Sequence, residues 1–129
     1  MTAGAPNLAS YTDNGNGTII DNVTGLMWQQ GVPAGTYTWE QSKAYCPTLN
    51  IAGRNDWRLP TRIELLSLVD YGRLAPSINT TYFPSTQLSP FWSSSPYADS
   101  SSRAWYGDFN SGTGAGFNTV DSHYVRCVR

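Results

Sequence analysis

The sequence Asp56-Trp57-Arg58-Leu59-Pro60-Thr61-Arg62-Ile63-Glu64 contains a strand signal followed directly by the start of a helix. Charged and apolar residues alternate from Asp56 to Leu59, which is typical of a half-buried strand. Thr61 and Glu64 then match a capping box, in which each side chain bonds the backbone amide of the other residue. We expect the helix to end at Gly72. Its apolar face is formed by Leu65, Leu66, Leu68 and Val69.

Toward the N-terminus, similar signals predict a hairpin and an earlier helix. Asn-Gly pairs between Tyr11 and Asp21 tolerate the positive φ of a tight turn, and a short buried strand follows at residues 26–28. Thr38 and Gln41 match a second capping box. Pro47 disfavours helical geometry at the preceding residue, so we expect the first helix to end or bend there.

Toward the C-terminus, residues 91–94, 103–109 and 124–128 have strand character. In the middle segment, alternation places Trp105, Gly107 and Phe109 on one face, and Ala104, Tyr106 and Asp108 on the other. We expect the face with Tyr106 to be exposed. The glycines of residues 112–116 precede no helix, so they do not match a phosphate-binding loop. The order of strands, two helices and then strands indicates an α+β fold.

Composition indicates a single folded domain over residues 1–129, with residues 1–9 as a loosely ordered N-terminal segment. Charged and aromatic residues each make up 13%, whereas disordered chains are rich in charge and poor in aromatics. The net charge of −1 comes without a basic stripe, so we expect no nucleic-acid partner. Apolar runs are too short for membrane insertion.

Two cysteines, Cys46 and Cys127, lie far apart in the sequence. They are either two buried free thiols or one disulfide that closes a long loop. A disulfide would stabilise the fold by roughly 4–5 kcal/mol on chain-entropy grounds. It would also indicate an oxidising location.

A set of motifs follows in a fixed order along most of the chain: Thr24-Gly25-Leu26-Met27-Trp28, Thr38-Trp39-Glu40-Gln41, Tyr45-Cys46, Asp56-Trp57-Arg58-Leu59-Pro60-Thr61, Glu64-Leu65, Phe91-Trp92-Ser93-Ser94-Ser95, Ala104-Trp105 and Tyr124-Val125-Arg126-Cys127-Val128-Arg129. This ordered set resembles the bacterial DUF1566 family, of the type found at the C-terminus of the Legionella collagen-like adhesin. It implies a C-type lectin-like fold, with two helices packed on a small twisted antiparallel sheet. In such folds a cysteine on the first helix bridges one on the last strand, which implies a Cys46–Cys127 disulfide. The resemblance also implies an extracellular or cell-surface adhesin. Such adhesins include trimers, so an oligomer is compatible with it.

The C-terminal third also resembles the variable proteins of diversity-generating retroelements, several of which use lectin-like domains. An asparagine codon mutated only at its adenines never encodes Lys, Glu, Gln, Met or Trp. Between Ser93 and His123 there is no Lys, Glu, Gln or Met, and the one tryptophan, Trp105, lies at a framework position. A Gly/Ser-rich surface loop would explain the same absence. The resemblance implies a diversified surface that recognises a protein ligand or receptor on another cell or particle, and a cell-surface or virion location.

Residues suited to catalysis are scarce, so we expect no enzyme. His123 is the only histidine, which leaves neither a His-rich metal site nor a Ser-His-Asp triad. Paired cysteines would leave no thiolate, whereas the enzymatic relatives of the lectin-like fold, the formylglycine-generating enzymes, require free active-site cysteines.

Calcium is the one cofactor that the sequence suggests. Side chains with oxygen ligands lie around the first hairpin at Asp13, Asn14, Asn16 and Asp21, loosely as in calcium loops. A hairpin turn explains the same residues, and the bidentate glutamate of a full site is missing. The Glu-Pro-Asn and Gln-Pro-Asp signatures of calcium-dependent lectins are absent. We therefore expect no cofactor.

These observations predict a rigid scaffold with a non-catalytic binding face in its last third. The scaffold residues are Trp28, Trp39, Cys46, Trp57, Leu65, Leu66, Val69, Trp92, Trp105, Phe109 and Cys127. The binding-face residues are Tyr97, Asp99, Ser101, Arg103, Tyr106, Asp108, Asn110, Phe117, Asn118, Asp121 and His123. Exposed Tyr among Ser, Asn and Gly is typical of adaptable recognition surfaces. The alternative is a bacterial surface adhesin domain that binds glycans or glycosaminoglycans, although sulfated sugars favour basic clusters.

Overall fold

The described part of the chain forms two α-helices and two three-stranded antiparallel sheets, with strand orders β1-β2-β3 and β4-β5-β6. This computed structural model describes residues 10–70, 73, 75–84, 86–97, 102–110 and 112–129. The predicted N-terminal segment 1–9 and the helix end at Gly72 lie outside the described residues. The α+β class is confirmed, but the single sheet of the prediction is replaced by two smaller ones.

The first sheet begins with the predicted hairpin. Its strands are β1 (Tyr11–Asp13), β2 (Thr18–Asp21) and β3 (Met27–Gln29). Tyr11 pairs with Asp21 and Asp13 pairs with Ile19. Gly15 and Gly17 in the turn have φ values of 73° and 87°, a region that side-chain-bearing residues rarely adopt. The Asn-Gly pattern therefore predicted this turn for the right physical reason.

Both helices start at the predicted capping boxes. Helix α1 spans Trp39–Tyr45 and helix α2 spans Arg62–Leu66, and each has reciprocal bonds between its N-cap threonine and its third residue. A 3₁₀ turn at Cys46–Thr48 ends α1 at the position that Pro47 indicated. Helix α2 is shorter than predicted, and Leu68 and Val69 are buried beyond its end. The helices of the described segments are too short and too polar to cross a membrane.

The second sheet contains one strand that the sequence did not predict. Its strands are β4 (Pro90–Pro96), β5 (Arg103–Asp108) and β6 (Thr113–Asn118). The sequence predicts no strand at residues 112–116, but Gly114 and Gly116 pair with Gly107 and Trp105 of β5. Gly107 of β5 lies against Leu65 of α2, because a Cβ there would stand 3.1 Å from that side chain. Helix α2 therefore packs directly on one face of this sheet.

The C-terminal segment joins the two sheets through single bridges. Val128 forms bridges with Trp28 and with Arg58, and Tyr124 forms one with Phe91. The prediction of a regular strand over residues 124–128 was wrong. Residues 125–128 are all buried, so this segment is enclosed on both sides and does not line one face of a sheet.

A disulfide joins Cys46 to Cys127 across 81 residues, as the resemblance implied. Both sulfurs lie in a buried cluster with Trp57, Trp92 and Val125. A second buried cluster contains Ile19 and Trp28 of the first sheet, Leu65 of α2 and Phe91 of the second sheet. Of the predicted scaffold residues, most are buried, whereas Trp39, Leu66 and Trp105 are half-buried.

Arg126 is a fully buried cation that fixes the C-terminal segment to the end of β3. Its guanidinium donates to the carbonyl oxygens of Gln29 (3.1 Å) and Gln30 (2.7 Å) and to Thr86 Oγ1 (3.1 Å). It also lies 4.8 Å from the Phe83 ring. Burial lowers the pKa of Arg126 to about 9. Its partners are neutral carbonyl, hydroxyl and ring groups, so this residue has a structural role.

Candidate ligand-binding surface

One face of the second sheet carries two aromatic rings beside two guanidinium groups. The ring centroids of Tyr97 and Trp105 lie 4.8 Å apart, with 39° between their planes. The guanidinium carbon of Arg62 lies 4.4 Å from the Trp105 ring, and that of Arg103 lies 5.9 Å from the Tyr97 ring. Both distances allow cation–π attraction. We call these four residues the arginine face.

A glycine of β6 makes room for the rings of the arginine face. Gly116 pairs with Trp105 across the sheet, and a Cβ on Gly116 would overlap the Tyr97 ring. The Tyr97 amide donates to the Arg103 carbonyl at 2.9 Å, which holds the end of β4 against β5. An aromatic ring over a strand glycine covers backbone that has no side chain of its own.

The start of helix α2 positions Arg62. The Arg62 amide donates to Ser95 Oγ at 2.9 Å, which fixes the helix start to β4. Nearby, Arg58 donates two 2.7 Å hydrogen bonds to Glu64 and lowers the pKa of that carboxyl to about 2. By contrast, the guanidiniums of Arg62 and Arg103 form no ion pair with any residue that the structure describes.

The opposite face of the sheet carries a compact stack of rings. Phe117 lies between Tyr106 and His123, with centroid distances of 4.4 Å and interplanar angles of 21° to each. Trp92 meets His123 edge-on at 4.9 Å. Burial lowers the pKa of His123, with Asp121 acting in the opposite direction. The imidazole therefore behaves as a neutral packing group near pH 7. We call Trp92, Tyr106, Phe117 and His123 the stacked face.

The model of one known protein family matches most of this chain. The model of the Lcl C-terminal domain family matches residues 17–129, which include both cysteines and both faces. The chain belongs to the Lcl C-terminal domain family. The family is named after the Legionella collagen-like protein, and membership indicates a bacterial surface adhesin-like domain. No curated protein matches the sequence.

The family match confirms the predicted resemblance to the Legionella collagen-like type. Together with the disulfide, membership indicates an extracellular or surface location for this Lcl-type domain. The C-type lectin-like architecture, the retroelement likeness and a virion location stay predictions.

Sequence alternation divided β5 into the correct two faces, but the expected exposure of the face with Tyr106 was wrong. Ala104 was expected to face solvent with Tyr106, but it is fully buried against the disulfide cluster. Tyr106 is half-buried in the stacked face, and Trp105, predicted as core, is equally half-buried on the arginine face. The physical reason is that both faces of this sheet are covered in part, one by α2 and the other by the disulfide cluster.

The remaining predicted binding residues lie near the ends of the β5–β6 hairpin. Asp108 Oδ1 accepts a 2.8 Å hydrogen bond from the Asn110 amide, and Asn118 Oδ1 accepts one of 3.3 Å from the Val120 amide. Asn110, Asn118 and Asp121 are exposed. Asp99 and Ser101 lie outside the described residues. The structure thus groups the predicted residues into three places and not into one continuous face.

Sequence reasoning missed Arg62 and Trp105 as members of the arginine face. The sequence predicts Trp105 as a scaffold residue because it lies among apolar strand residues, and it predicts Arg62 only as part of the start of the second helix. The alternating glycines Gly114 and Gly116 were the available signal. A strand whose one face lacks side chains leaves room for an aromatic ring from its neighbour.

The four calcium candidates are divided between the two ends of the first hairpin. Asp13 Oδ1 accepts from the Gly15 amide at 2.8 Å, and Asn16 Oδ1 accepts from Thr18 Oγ1 at 2.6 Å. Asn14 lies in the same turn and donates to Thr18 Oγ1 at 2.9 Å. Asp21 is buried at the other end of the hairpin, opposite Tyr11. The structure does not bring the four side chains to one point.

Proposed function

We propose that this Lcl-type domain is a non-enzymatic, lectin-like adhesin module that binds an acidic glycan on its arginine face. One observation carries the proposal: two guanidiniums without ion pairs among the described residues flank two half-exposed aromatic rings. A sugar ring presents apolar C–H groups that pack on aromatic faces, and its carboxylate or sulfate groups need cationic partners.

The stacking of Arg62 on the Trp105 ring suits its guanidinium to binding an acidic glycan. A guanidinium that lies over a ring keeps its N–H edges available, and these edges match the geometry of an oxyanion. Because the ring already restrains the side chain, less conformational entropy is lost when a ligand binds. Arg103 is exposed, so it can meet a second acidic group along the same chain.

The net charge of −1 limits how such a ligand is captured. A near-neutral protein exerts little long-range attraction on a polyanion, so binding depends on the local pair of arginines. We therefore expect moderate affinity that falls as salt screens the contacts.

Retention on a heparin column tests the proposal. We expect the wild-type domain to be retained at low salt, and Arg62→Gln and Arg103→Gln each to weaken the affinity for a heparin oligosaccharide about tenfold, the effect of losing a charged hydrogen bond. Arg54→Gln is the matched control, because Arg54 is exposed and lies outside the arginine face. An equal loss with Arg54→Gln would show a non-specific charge effect, and no retention of the wild type would overturn the acidic ligand.

Recognition of a protein by a diversified surface is the second candidate function. Arg103, Asn110, Asn118 and Asp121 are all exposed at the ends of the β5–β6 hairpin, so exchanging them would leave both buried clusters intact. The positions at which sibling genes differ in sequence test this second candidate function. Substitutions concentrated between Ser93 and His123, beside a reverse transcriptase and a near-copy of the gene's 3′ end, would favour it, and substitutions spread evenly would remove it.

The absence of catalysis and of a calcium requirement are parts of the same proposal. Both cysteines are paired and His123 lies within the stacked face, so the groups best suited to nucleophilic or acid–base chemistry have structural roles. The hairpin oxygens bond their own turn. We expect millimolar calcium to leave the melting temperature unchanged, and a clear rise would contradict this part.

A further inference from the structure

A solvent-open groove lies beside helix α1 and is lined by residues outside both faces described above. Its volume is about 500 Å³, within the range of small-ligand sites. The groove shares no residue with the arginine face. Its lining consists of Thr36, Tyr37, Gln41, Ala44, Tyr45 and Thr48.

The lining combines aromatic rings with neutral hydrogen-bonding groups. The ring centroids of Tyr37 and Tyr45 lie 5.1 Å apart, with 32° between their planes. Two threonine hydroxyls and one glutamine amide supply donors and acceptors, and none of the six lining residues carries a charge at neutral pH. The groove therefore suits a ligand that is uncharged and has both apolar and hydroxyl surfaces.

Contacts with neighbouring elements hold the two tyrosines in place. Tyr37 exchanges two 2.8 Å backbone hydrogen bonds with His123, so its backbone is fixed to the C-terminal segment. Burial raises the pKa of Tyr45, a hydrogen bond with the Gln29 side chain opposes the rise, and the nearby Tyr37 phenol adds to it. The two phenols thus lie close together in a partly dehydrated place, and a ligand would find them already ordered.

The polar groups of the groove are also positioned before any ligand arrives. Gln41 Oε1 accepts from the Thr38 amide at 2.9 Å as part of the capping box. Its amide nitrogen has no hydrogen-bond partner among the residues that the structure describes. Thr48 Oγ1 donates to the Tyr45 carbonyl at 2.6 Å and can still accept a hydrogen bond.

We propose that this groove binds one uncharged pyranose unit of a glycan. Anionic ligands lack a cationic partner in its lining. An extended peptide would need free backbone groups at a strand edge, but Tyr37 uses both its amide and its carbonyl with His123, and α1 bonds its own backbone. The site is independent of the acidic-glycan proposal, because neither its residues nor its ligand chemistry are shared.

Saturation-transfer NMR with methyl glycosides tests the site. The probes are the neutral methyl glycosides of glucose, galactose, mannose and N-acetylglucosamine, with glucuronic acid as the charged comparison. We expect at least one neutral glycoside to receive saturation from the protein, whereas any signal from glucuronic acid should come from the arginine face and be lost with Arg62→Gln. Ala44→Gln should fill the groove with a longer side chain and weaken the neutral signal at least about tenfold.

Glu40→Gln is the matched control on the same helix, because Glu40 is exposed and does not line the groove. It should keep the wild-type signal, as should Arg62→Gln, which separates this site from the arginine face. No signal from any neutral glycoside, a neutral signal that survives Ala44→Gln, or a glucuronic acid signal that is lost with Ala44→Gln but not with Arg62→Gln would overturn the proposal.

Discussion

On one face of the second sheet Tyr106 lies within a stack of rings, whereas on the other face Trp105 lies beside a tyrosine and two arginines. These neighbours in sequence are both half-buried aromatic residues. The stacked face ends against the disulfide cluster, whereas the arginine face borders α2, whose Arg62 lies over the Trp105 ring. The difference shows that the element packed against each face of a strand decides whether an aromatic residue there meets other rings or charged groups.

Removing the disulfide should give the largest loss of stability, because both cysteines lie in the buried cluster that includes Trp92 of the stacked face. The bond closes a loop of 81 residues, so Cys46→Ser combined with Cys127→Ser should lower the free energy of unfolding by about 4–5 kcal/mol. Urea unfolding measures this, and the wild type under reducing conditions should match the double variant. A loss below about 2 kcal/mol would show that the bond adds little to the scaffold.

The pair Tyr106→Ala and Trp105→Ala tests the comparison directly. Tyr106→Ala removes the ring that stacks on Phe117 at 4.4 Å and should cost about 3 kcal/mol of stability. Trp105→Ala should cost less stability, about 1–2 kcal/mol, but abolish heparin retention. Tyr106→Phe keeps the ring and is the control. Equal stability losses, or lost binding only with Tyr106→Ala, would reverse the roles of the two faces.

Substitutions at two glycines of β6 should affect different properties: Gly114→Ala should lower stability, and Gly116→Ala should weaken ligand binding. A Cβ on Gly114 would lie 2.7 Å from the Tyr106 carbonyl oxygen, which is backbone and cannot yield easily. Gly114→Ala should therefore cost about 2 kcal/mol. A Cβ on Gly116 meets the Tyr97 ring, which can swing away, so Gly116→Ala should weaken heparin binding with little change in unfolding. Calorimetry and column retention measure both, and identical effects of the two variants would contradict the assignment.

The smallest expected effect concerns the ion pair between Arg58 and Glu64, at the start of the helix that carries Arg62. Glu64 has a pKa near 2 in the folded protein against an ordinary value of 4.5, chiefly because of Arg58. Its contribution is present above pH 4.5 and is lost as the pH falls toward 2. Glu64→Gln, which can keep the cap bond to Thr61, should cost about 1 kcal/mol at pH 7, since water screens this partly exposed pair. Stability curves that stay parallel between pH 4.5 and 2 would refute the linkage.

Local chemistry in the sequence was sufficient to predict the helix starts and the first turn. The boxes at Thr38 and Thr61 and the positive φ of Gly15 and Gly17 involve residues only a few positions apart, so no tertiary information is needed. The Cys46–Cys127 bond depended on the family resemblance, because spacing alone also allowed two free thiols.

Features that depend on distant partners were not predictable in this way. Strand β6 is rich in glycine, and only its pairing with β5 gives it strand geometry. The same limit explains the candidate site: Tyr97 and Arg103 were predicted from composition, whereas Trp105 and Arg62 gain their role from the packing of α2. The groove at Tyr37 and Tyr45 depends on a bridge to His123, 86 positions after Tyr37 in the sequence.

The late position of Cys127 and Val128 in the chain has a consequence for biogenesis. The ribosome delivers a domain from its N-terminal end, so Cys46 and both sheets emerge before the segment that joins them exists. A chain that reaches an oxidising compartment before residue 127 has been made therefore carries Cys46 as a lone thiol. Mispairing with a second molecule is the specific hazard of this topology, and the yield of correctly paired protein should depend on how quickly Cys127 follows Cys46.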